Sequence, residues 1–273
     1  MGKIFEVIHL STELDILDCR LHEHCDAVDY FVIVEFPFDY GLHPRKMWYN
    51  DNKERFKKFE KQIIHHIDDF HYNGASGLSL FWQRLTSCFP TLAKYCKPED
   101  YVAICDGDAL IRRSTFDILN TTSPGGTCFV MRWSVFWFNT WYPVMGFNWT
   151  GGCPYFVIQE LGGKMFGRPL QPDTQTIPDS GNHWAKMGGV DMVIENIKGH
   201  PHQDIACTPE LIDPVLVQAR IDNGWGWNDT ANGKNGGPIW RCDPYDPADY
   251  PRYINEHPEI YSKYFKGGMI PKI

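Results

Sequence analysis

The chain has 273 residues, of which 43% are hydrophobic and 22% are charged, as is ordinary for a globular protein. Its 34 acidic residues outnumber its 26 lysines and arginines, and the net charge of −8 argues against a nonspecific nucleic-acid or anionic-membrane surface. No stretch reaches the about 18 apolar residues that span a bilayer. Nine cysteines without a CxxC pair fit reduced thiols better than a disulfide framework. We therefore expect a soluble, cytoplasmic protein with no transmembrane segment and no nucleic-acid partner.

The first part of the chain alternates between short apolar runs and segments with a helical spacing of apolar residues. The runs predict strands over residues 3–10, 30–34, 63–67 and 101–105. The segments between them predict helices over residues 13–25, 53–61 and 78–96, the last with a break or kink at Pro90. Strands that alternate with helices indicate a parallel, doubly wound sheet.

The second part is richer in aromatic residues and glycine. We expect longer strands over residues 128–138 and 154–159, which add mixed or antiparallel members to the sheet, and a helix over residues 208–223 that starts at Thr208-Pro209-Glu210. From Gly224 onward Gly, Asn, Pro and Asp dominate, which favours an ordered loop region or a lid. Most of the ten tryptophans are expected in the core, while a minority could stack on a sugar.

A pair of carboxylates follows the last apolar run of the first part, in Asp106-Gly107-Asp108. In an open parallel sheet, ligands bind outside the carboxyl ends of the strands, which is where this pair is expected. Carboxylates one residue apart can both reach a hard divalent cation such as Mg²⁺ or Mn²⁺. The alternative is an acidic turn without a ligand, because Asp and Gly are common turn residues.

Several short motifs occur in a fixed order along the chain. They are the stretch from Glu13 to Glu23 with its continuation from Val28 to Glu35, then Gly41 and Lys46, Arg55-Phe56, Asp68-Asp69, Trp82-Gln83-Arg84, Asp106-Gly107-Asp108, Gly181-Asn182-His183-Trp184, Gly188-Gly189, Lys198 and His200-Pro201-His202-Gln203-Asp204. In this order the motifs resemble glycosyltransferase family 17, which includes the β-1,4-mannosyl-glycoprotein β-1,4-N-acetylglucosaminyltransferase. The chain departs from the family pattern at two places: Ala109-Leu110-Ile111 replace the usual Glu, Ile and Pro, and Asp204 stands where the family typically has Glu.

The resemblance implies an α/β fold of the GT-A type, a Rossmann-like mixed sheet flanked by helices. It also implies a metal-dependent, inverting glycosyltransferase that uses Mn²⁺ or Mg²⁺. Such an enzyme moves a sugar, for which GlcNAc is the first candidate, from a UDP-sugar donor to a hydroxyl of a carbohydrate or other acceptor. We expect one catalytic domain over residues 1–273. Its parts are a nucleotide-sugar-binding half at 1–126, an acceptor-side half at 127–223 and a C-terminal loop or lid region at 224–273.

Candidate site residues follow from the resemblance and from the chemistry that such a transfer needs. The metal ligands are Asp106, Asp108 and His202, and His202 is alternatively a diphosphate contact. The base that deprotonates the acceptor hydroxyl is Asp204 or His183, although His183 read alone is a hydrogen-bonded core histidine. The donor-binding set is Arg20, Glu35, Lys46, Arg55, Arg84 and Asp106, and each of its cations is alternatively a salt-bridge residue.

Two other classes of protein are compatible with parts of the pattern. A haloacid-dehalogenase-like phosphatase also ends a strand in Asp-x-Asp, but it favours Thr or Val where Leu110 stands. A noncatalytic sugar-binding module fits the aromatic content, yet it does not explain an Asp pair on a parallel sheet. The lack of a membrane anchor favours a bacterial or viral enzyme of the cytosol over a Golgi enzyme.

Overall fold

The structure is a computed structural model that describes residues 2–40, 42–68, 77–142, 147–162, 173–199, 208–226 and 241–267. Within these ranges it has eleven strands in one mixed sheet with flanking helices. The strands are β1 (Ile4–His9), β2 (Tyr30–Glu35), β3 (Ile63–Ile67), β4 (Tyr101–Asp106), β5 (Ala109–Ile111), β6 (Thr127–Val135), β7 (Thr140–Trp141), β8 (Phe147–Pro154), β9 (Gln175–Ile177), β10 (Gly181–Ala185) and β11 (Arg241–Cys242).

The helices in the same ranges are mostly short. The α-helices are α1 (Leu14–His24), α2 (Gly77–Ser87), α3 (Phe89–Tyr95), α4 (Tyr155–Leu161), α5 (Val190–Lys198), α6 (Pro214–Asn223), α7 (Arg252–Glu256) and α8 (Pro258–Tyr261). The 3-10 helices are Asn50–Phe59, Arg113–Ile118, Pro247–Asp249 and Ser262–Tyr264. Among the described residues, no helix combines the length and the apolar character needed to cross a membrane.

The first four strands form the predicted parallel half of the sheet, in the order β3-β2-β1-β4. Successive residues of β1 pack on opposite faces, because Phe5 and Val7 lie in one buried cluster and Ile8 in another. This double burial explains why the strands read as continuous apolar runs. The chain order reverses between β1 and β4, and a crevice for ligands opens at the carboxyl ends of strands at such a point.

The remaining strands extend the sheet in mixed orientation, as predicted. β8 is antiparallel to β4, and β6 is antiparallel to β8. β10 runs parallel to β6 and antiparallel to the short strand β5, with His183 opposite Ala109. The β5 pairing therefore carries β10 to the residues that directly follow the Asp pair.

Some predicted elements differ from the structure. The strand expected at 154–159 is wrong: Pro154 ends β8, and helix α4 then buries Tyr155, Val157 and Ile158 on one side. The helix expected from Thr208 begins at Pro214, because the Asp213 carboxylate accepts hydrogen bonds from the first-turn amides and caps it. The charged helix expected at 53–61 is a 3-10 helix, Asn50–Phe59.

The long helix expected at 78–96 is divided into α2 and α3 between Ser87 and Phe89. Pro90 lies in the first turn of α3, where a missing amide hydrogen leaves no intrahelical bond unmade. The break therefore comes before the proline, which begins a second helix.

The C-terminal segment 241–267 was expected to be loop or lid, but it packs firmly against α1. Asp15 accepts hydrogen bonds from Tyr261 through its carbonyl oxygen at 3.0 Å and from Tyr264 through its carboxylate at 2.8 Å. The Lys263 ammonium pairs with the same carboxylate at 2.6 Å. Apolar residues of this segment also complete a buried cluster with Phe138 and Trp184. Four residues of the described tail, Tyr250, Ile254, Tyr261 and Phe265, are therefore part of the core.

Candidate functional site

The turn that carries the Asp pair lies tightly against the loop that follows β1. The Gly107 amide donates to the His9 carbonyl oxygen at 2.9 Å. A Cβ atom at position 107 would lie 2.7 Å from a Glu13 carboxylate oxygen and 3.1 Å from that same carbonyl oxygen. A larger residue between the two aspartates would displace the Glu13 carboxylate and press on the β1 loop, so the turn favours glycine here.

Asp106, Asp108 and His183 form a cluster that could hold a metal ion. One ligand atom from each lies within 4.8 Å of the other two. The His183 Nε2 atom is 3.3 Å from an Asp108 carboxylate oxygen. Strand β10 places this histidine, since the Trp184 amide donates to the Asp108 carbonyl oxygen at 2.8 Å. Two carboxylates and an imidazole are a suitable ligand set for a divalent cation.

The acidic groups of the cluster destabilise one another's ionised forms. Burial, reinforced by the charge of Asp108, raises the pKa of Asp106 to about 6. The same two causes raise the pKa of Glu13. The Glu13 carboxylate also accepts hydrogen bonds from the backbone amides of Ser11 at 2.9 Å and Thr12 at 2.8 Å. Burial opposes ionisation of Asp108 as well, but His183 and Lys186 nearby lower its pKa. A bound cation would relieve this repulsion, so the residues present fit one.

Arg20, for which the sequence predicts a diphosphate contact, supports the turn from within the core. Its side chain is 0% exposed. One guanidinium nitrogen donates to the carbonyl oxygens of Asp106 at 3.0 Å, Gly107 at 3.3 Å and Ala109. The other lies 3.6 Å from the buried Glu6 carboxylate. Arg20 therefore fixes the backbone that presents the two aspartates, and no face of it is open to a ligand.

Glu35 and Arg84 were also predicted to bind the donor, and both instead make buried contacts that shape the loop after β2. The Glu35 carboxylate accepts the Tyr49 amide at 2.7 Å and the Asn50 amide at 3.0 Å, and so caps a 3-10 helix. Arg84 donates to the Phe38 carbonyl oxygen at 2.7 Å. These side chains hold the loop in place, which explains their presence without a ligand.

Arg55 and Lys46 contact neighbours other than the Asp pair in the part of the chain that the structure describes. Arg55 pairs with Asp15 at 2.7 Å and with Asp18 at 3.1 Å, which attaches the 3-10 helix to α1. The Lys46 ammonium lies 4.3 Å from the centre of the Trp48 ring. The alternative interpretation, that of structural ion pairs, thus describes Arg55 better than donor binding.

The predicted base Asp204 and the predicted ligand His202 lie outside the described residues, as do Gly41 and Asp69. Two residues near the cluster, Glu13 and Lys186, were absent from the predicted site. The position of Glu13 after β1 was a usable signal, because the carboxyl ends of β1 and β4 meet at one edge. No comparable signal identifies Lys186.

A cleft opens near the carboxyl end of β1, where Ser11 forms part of its lining. Its volume is about 370 Å³. It is lined by Ser11, Asp39, His43, Pro44, Arg45, Glu195, Lys198 and Gly199. The Arg45 guanidinium donates to the Ser11 carbonyl oxygen at 2.9 Å, and the Ser11 amide donates to Glu13. These bonds connect the cleft to Glu13, whose carboxylate interacts with that of Asp108.

Comparison with protein families gives a match to glycosyltransferase family 17 over residues 1–229. The chain belongs to glycosyltransferase family 17. The resemblance, the mixed α/β fold consistent with a GT-A-like enzyme, and the prediction of a glycosyltransferase are therefore confirmed. Membership favours neither a phosphatase nor a noncatalytic sugar-binding module. A search of curated proteins returned no match.

The raised pKa of Asp106 predicts that Asp106→Asn stabilises the metal-free protein. A carboxyl that titrates near pH 3.8 when unfolded and near 6 when folded costs stability as the pH rises between these values. The amide removes that cost, so in EDTA the free energy of unfolding at pH 7 should rise by about 1–3 kcal/mol. Urea unfolding at pH 7 and pH 5 measures it, and the gain should shrink at pH 5. An equal gain or a loss at both values would contradict this assignment.

Proposed function

We propose that this family 17 enzyme is a metal-dependent, inverting transferase that moves GlcNAc from UDP-GlcNAc to a hydroxyl of a carbohydrate acceptor. The observation that supports it best is the convergence of Asp106, Asp108 and His183 at the edge where parallel strands end. The neighbouring cleft offers space for a nucleotide sugar at that edge.

The cation would be Mn²⁺ or Mg²⁺, held by the two aspartates and the histidine. When bound, such an ion neutralises the negative charge that develops on the departing diphosphate. Asp106 and Asp108 are fixed for this role by the Arg20 bonds to their turn. Glu13, whose pKa is raised by burial and by Asp108, adds negative potential that favours a cation at the site.

Inversion needs a base that takes the proton of the acceptor hydroxyl as the new bond to the anomeric carbon forms. We assign this role to Asp204 and not to His183. The His183 Nε2 atom lies 3.3 Å from Asp108, which favours metal binding for that ring. His202 remains a predicted further ligand or diphosphate contact.

For Asp204→Asn we expect turnover to fall by about a hundredfold or more, while UDP affinity in the presence of Mn²⁺ changes by less than about threefold. The reason is that a base acts on the acceptor and not on the nucleotide. Steady-state kinetics and calorimetric titration measure the two quantities. Parallel losses of turnover and UDP affinity would move Asp204 to the donor site.

The proposed function is tested by thermal melting with Mn²⁺, with UDP and with both. We expect a large shift only with both, because the metal connects the protein to the diphosphate. ADP and GDP with Mn²⁺ serve as matched nucleotide controls. A panel of UDP-sugars with Mn²⁺, assayed for slow donor hydrolysis, then identifies the sugar. Binding of UDP that is equally strong in EDTA would refute metal dependence, and a preference for another sugar would refute GlcNAc.

A further inference from the structure

Lys186 is a buried lysine immediately after the strand that carries His183. The residue is only 8% exposed, and its backbone φ of 61° lies in the left-handed region. A non-glycine residue pays about 1 kcal/mol or more for this conformation. Such strain is found where the surrounding structure must aim one side chain, and it often accompanies function.

The side chain of Lys186 reaches helix α5 and interacts electrostatically with Asp108 and Glu13. Its ammonium donates to the Asn196 side-chain oxygen on α5. Burial lowers the pKa of Lys186 to about 8, and among charged groups Asp108 and Glu13 act most strongly to keep it protonated. The effect is mutual, since Lys186 contributes to the lowered pKa of Asp108. Strand β10 brings this part of the chain to the Asp pair, since Trp184, two residues before Lys186, donates its amide to the Asp108 carbonyl oxygen at 2.8 Å.

Helix α5, which carries Asn196, forms part of the wall of the cleft through Glu195 and Lys198. Ser11 also lines the cleft, and its amide donates to the Glu13 carboxylate at 2.9 Å. Lys186 thus differs from Arg20, the other buried cation at the turn. Arg20 reaches the turn from the core and bonds to backbone carbonyl oxygens, whereas the Lys186 ammonium bonds to a side chain of α5, the helix that lines the cleft.

Charge balance at the site calls for a second cation. The two positive charges of a divalent metal equal the negative charges of Asp106 and Asp108, so the added charge of a donor diphosphate exceeds what the metal alone can balance. In the transfer, the bond between the anomeric carbon and the diphosphate oxygen breaks, and its electron pair stays on that oxygen. The acceptor oxygen forms the new bond and gives its proton to the base. The nucleoside diphosphate therefore leaves with one more negative charge, which a nearby ammonium would stabilise.

We propose that Lys186 binds the diphosphate of the nucleotide-sugar donor and stabilises the departing nucleoside diphosphate, with Asn196 orienting its ammonium. This inference rests on the proposed function and names a catalytic residue for it.

The test compares Lys186→Met with Lys186→Arg, and with Lys94→Met as a control for the loss of one exposed, distant lysine. Calorimetry measures Mn²⁺ alone and UDP in saturating Mn²⁺, while ligand-observed NMR measures uridine, which has no phosphate. For Lys186→Met we expect Mn²⁺ to bind equally or more tightly, because a repelling charge is gone. UDP should bind roughly ten- to a hundredfold more weakly, and uridine should be unchanged. Lys186→Arg should restore most of the UDP affinity.

Weaker UDP binding together with unchanged or tighter Mn²⁺ binding is a result that simple misfolding cannot give. Melting temperatures check each variant, and Lys186→Gln replaces the Met variant if that protein does not fold. Wild-type UDP affinity in the Met or Gln variant would overturn the role of Lys186 while leaving the proposed function in place. Equal losses of Mn²⁺ and UDP would overturn it also. If the wild type itself does not bind UDP with Mn²⁺, the proposed function fails and this inference fails with it.

Discussion

Asp108→Asn is expected to reduce sugar transfer by about a thousandfold or more, which corresponds to about 4 kcal/mol of transition-state stabilisation. Asp108 belongs to the cluster with Asp106 and His183, and one of its carboxylate oxygens is 3.3 Å from the His183 Nε2 atom. An amide at this position cannot supply the negative charge that holds a divalent cation. Metal-dependent UDP binding should be lost together with transfer.

Mn²⁺ titration, UDP titration and transfer assays measure this loss, and melting in EDTA checks that the variant is folded. Asp51→Asn is a matched control, since Asp51 is an exposed aspartate of the first 3-10 helix. The control should retain wild-type activity. Full transfer activity in Asp108→Asn would show that the Asp pair does not hold a catalytic metal.

Arg20→Met is expected to lower the free energy of unfolding by about 3–5 kcal/mol. Burial opposes ionisation of Glu6, and His24 and Arg20 lower its pKa, so removing Arg20 leaves a buried carboxylate with less compensation. The turn also loses three hydrogen bonds to its carbonyl oxygens. Urea unfolding at pH 7 measures the effect, and Mn²⁺ affinity of the folded fraction should fall as well.

Arg55→Met provides the comparison for this second prediction. Arg55 also pairs with two carboxylates, but its side chain is 34% exposed, so its loss should cost about 1 kcal/mol or less. Adding Glu6→Gln to Arg20→Met should recover part of the stability, because the substitution removes the buried charge. Equal effects of the two arginine variants would show that burial of the Arg20 pair contributes nothing special.

The parallel half of the fold could be predicted because its strands are buried on both faces. A strand such as Tyr30–Glu35 then appears as an uninterrupted apolar run, and the intervening helices reveal the parallel order. The second half was harder. The segment after Pro154 is apolar and short, and periodicity alone cannot distinguish a buried strand from a buried helix of seven residues.

The Asp pair was predicted for a related reason, since the end of a recognisable strand marks the binding edge. The contacts that the arginines make within the protein could not be predicted. A motif shows that Arg20 matters, but the difference between a guanidinium facing a ligand and one facing carbonyl oxygens depends on the direction of the side chain from α1. Lys186 was missed because its approach to Asp108 depends on β10 pairing with β5, a contact between distant parts of the chain.

The packing of residues 241–267 on α1 affects how this enzyme can be shortened or fused. The match to family 17 ends at residue 229. Beyond it, Tyr261 and Lys263 bind Asp15 on α1, the helix that also carries Arg20. A truncation at the family boundary would remove these contacts from α1 and expose the rings of Phe138 and Trp184. Inactivity of such a fragment would reflect a damaged scaffold, so a shortened protein should keep residues 241–267.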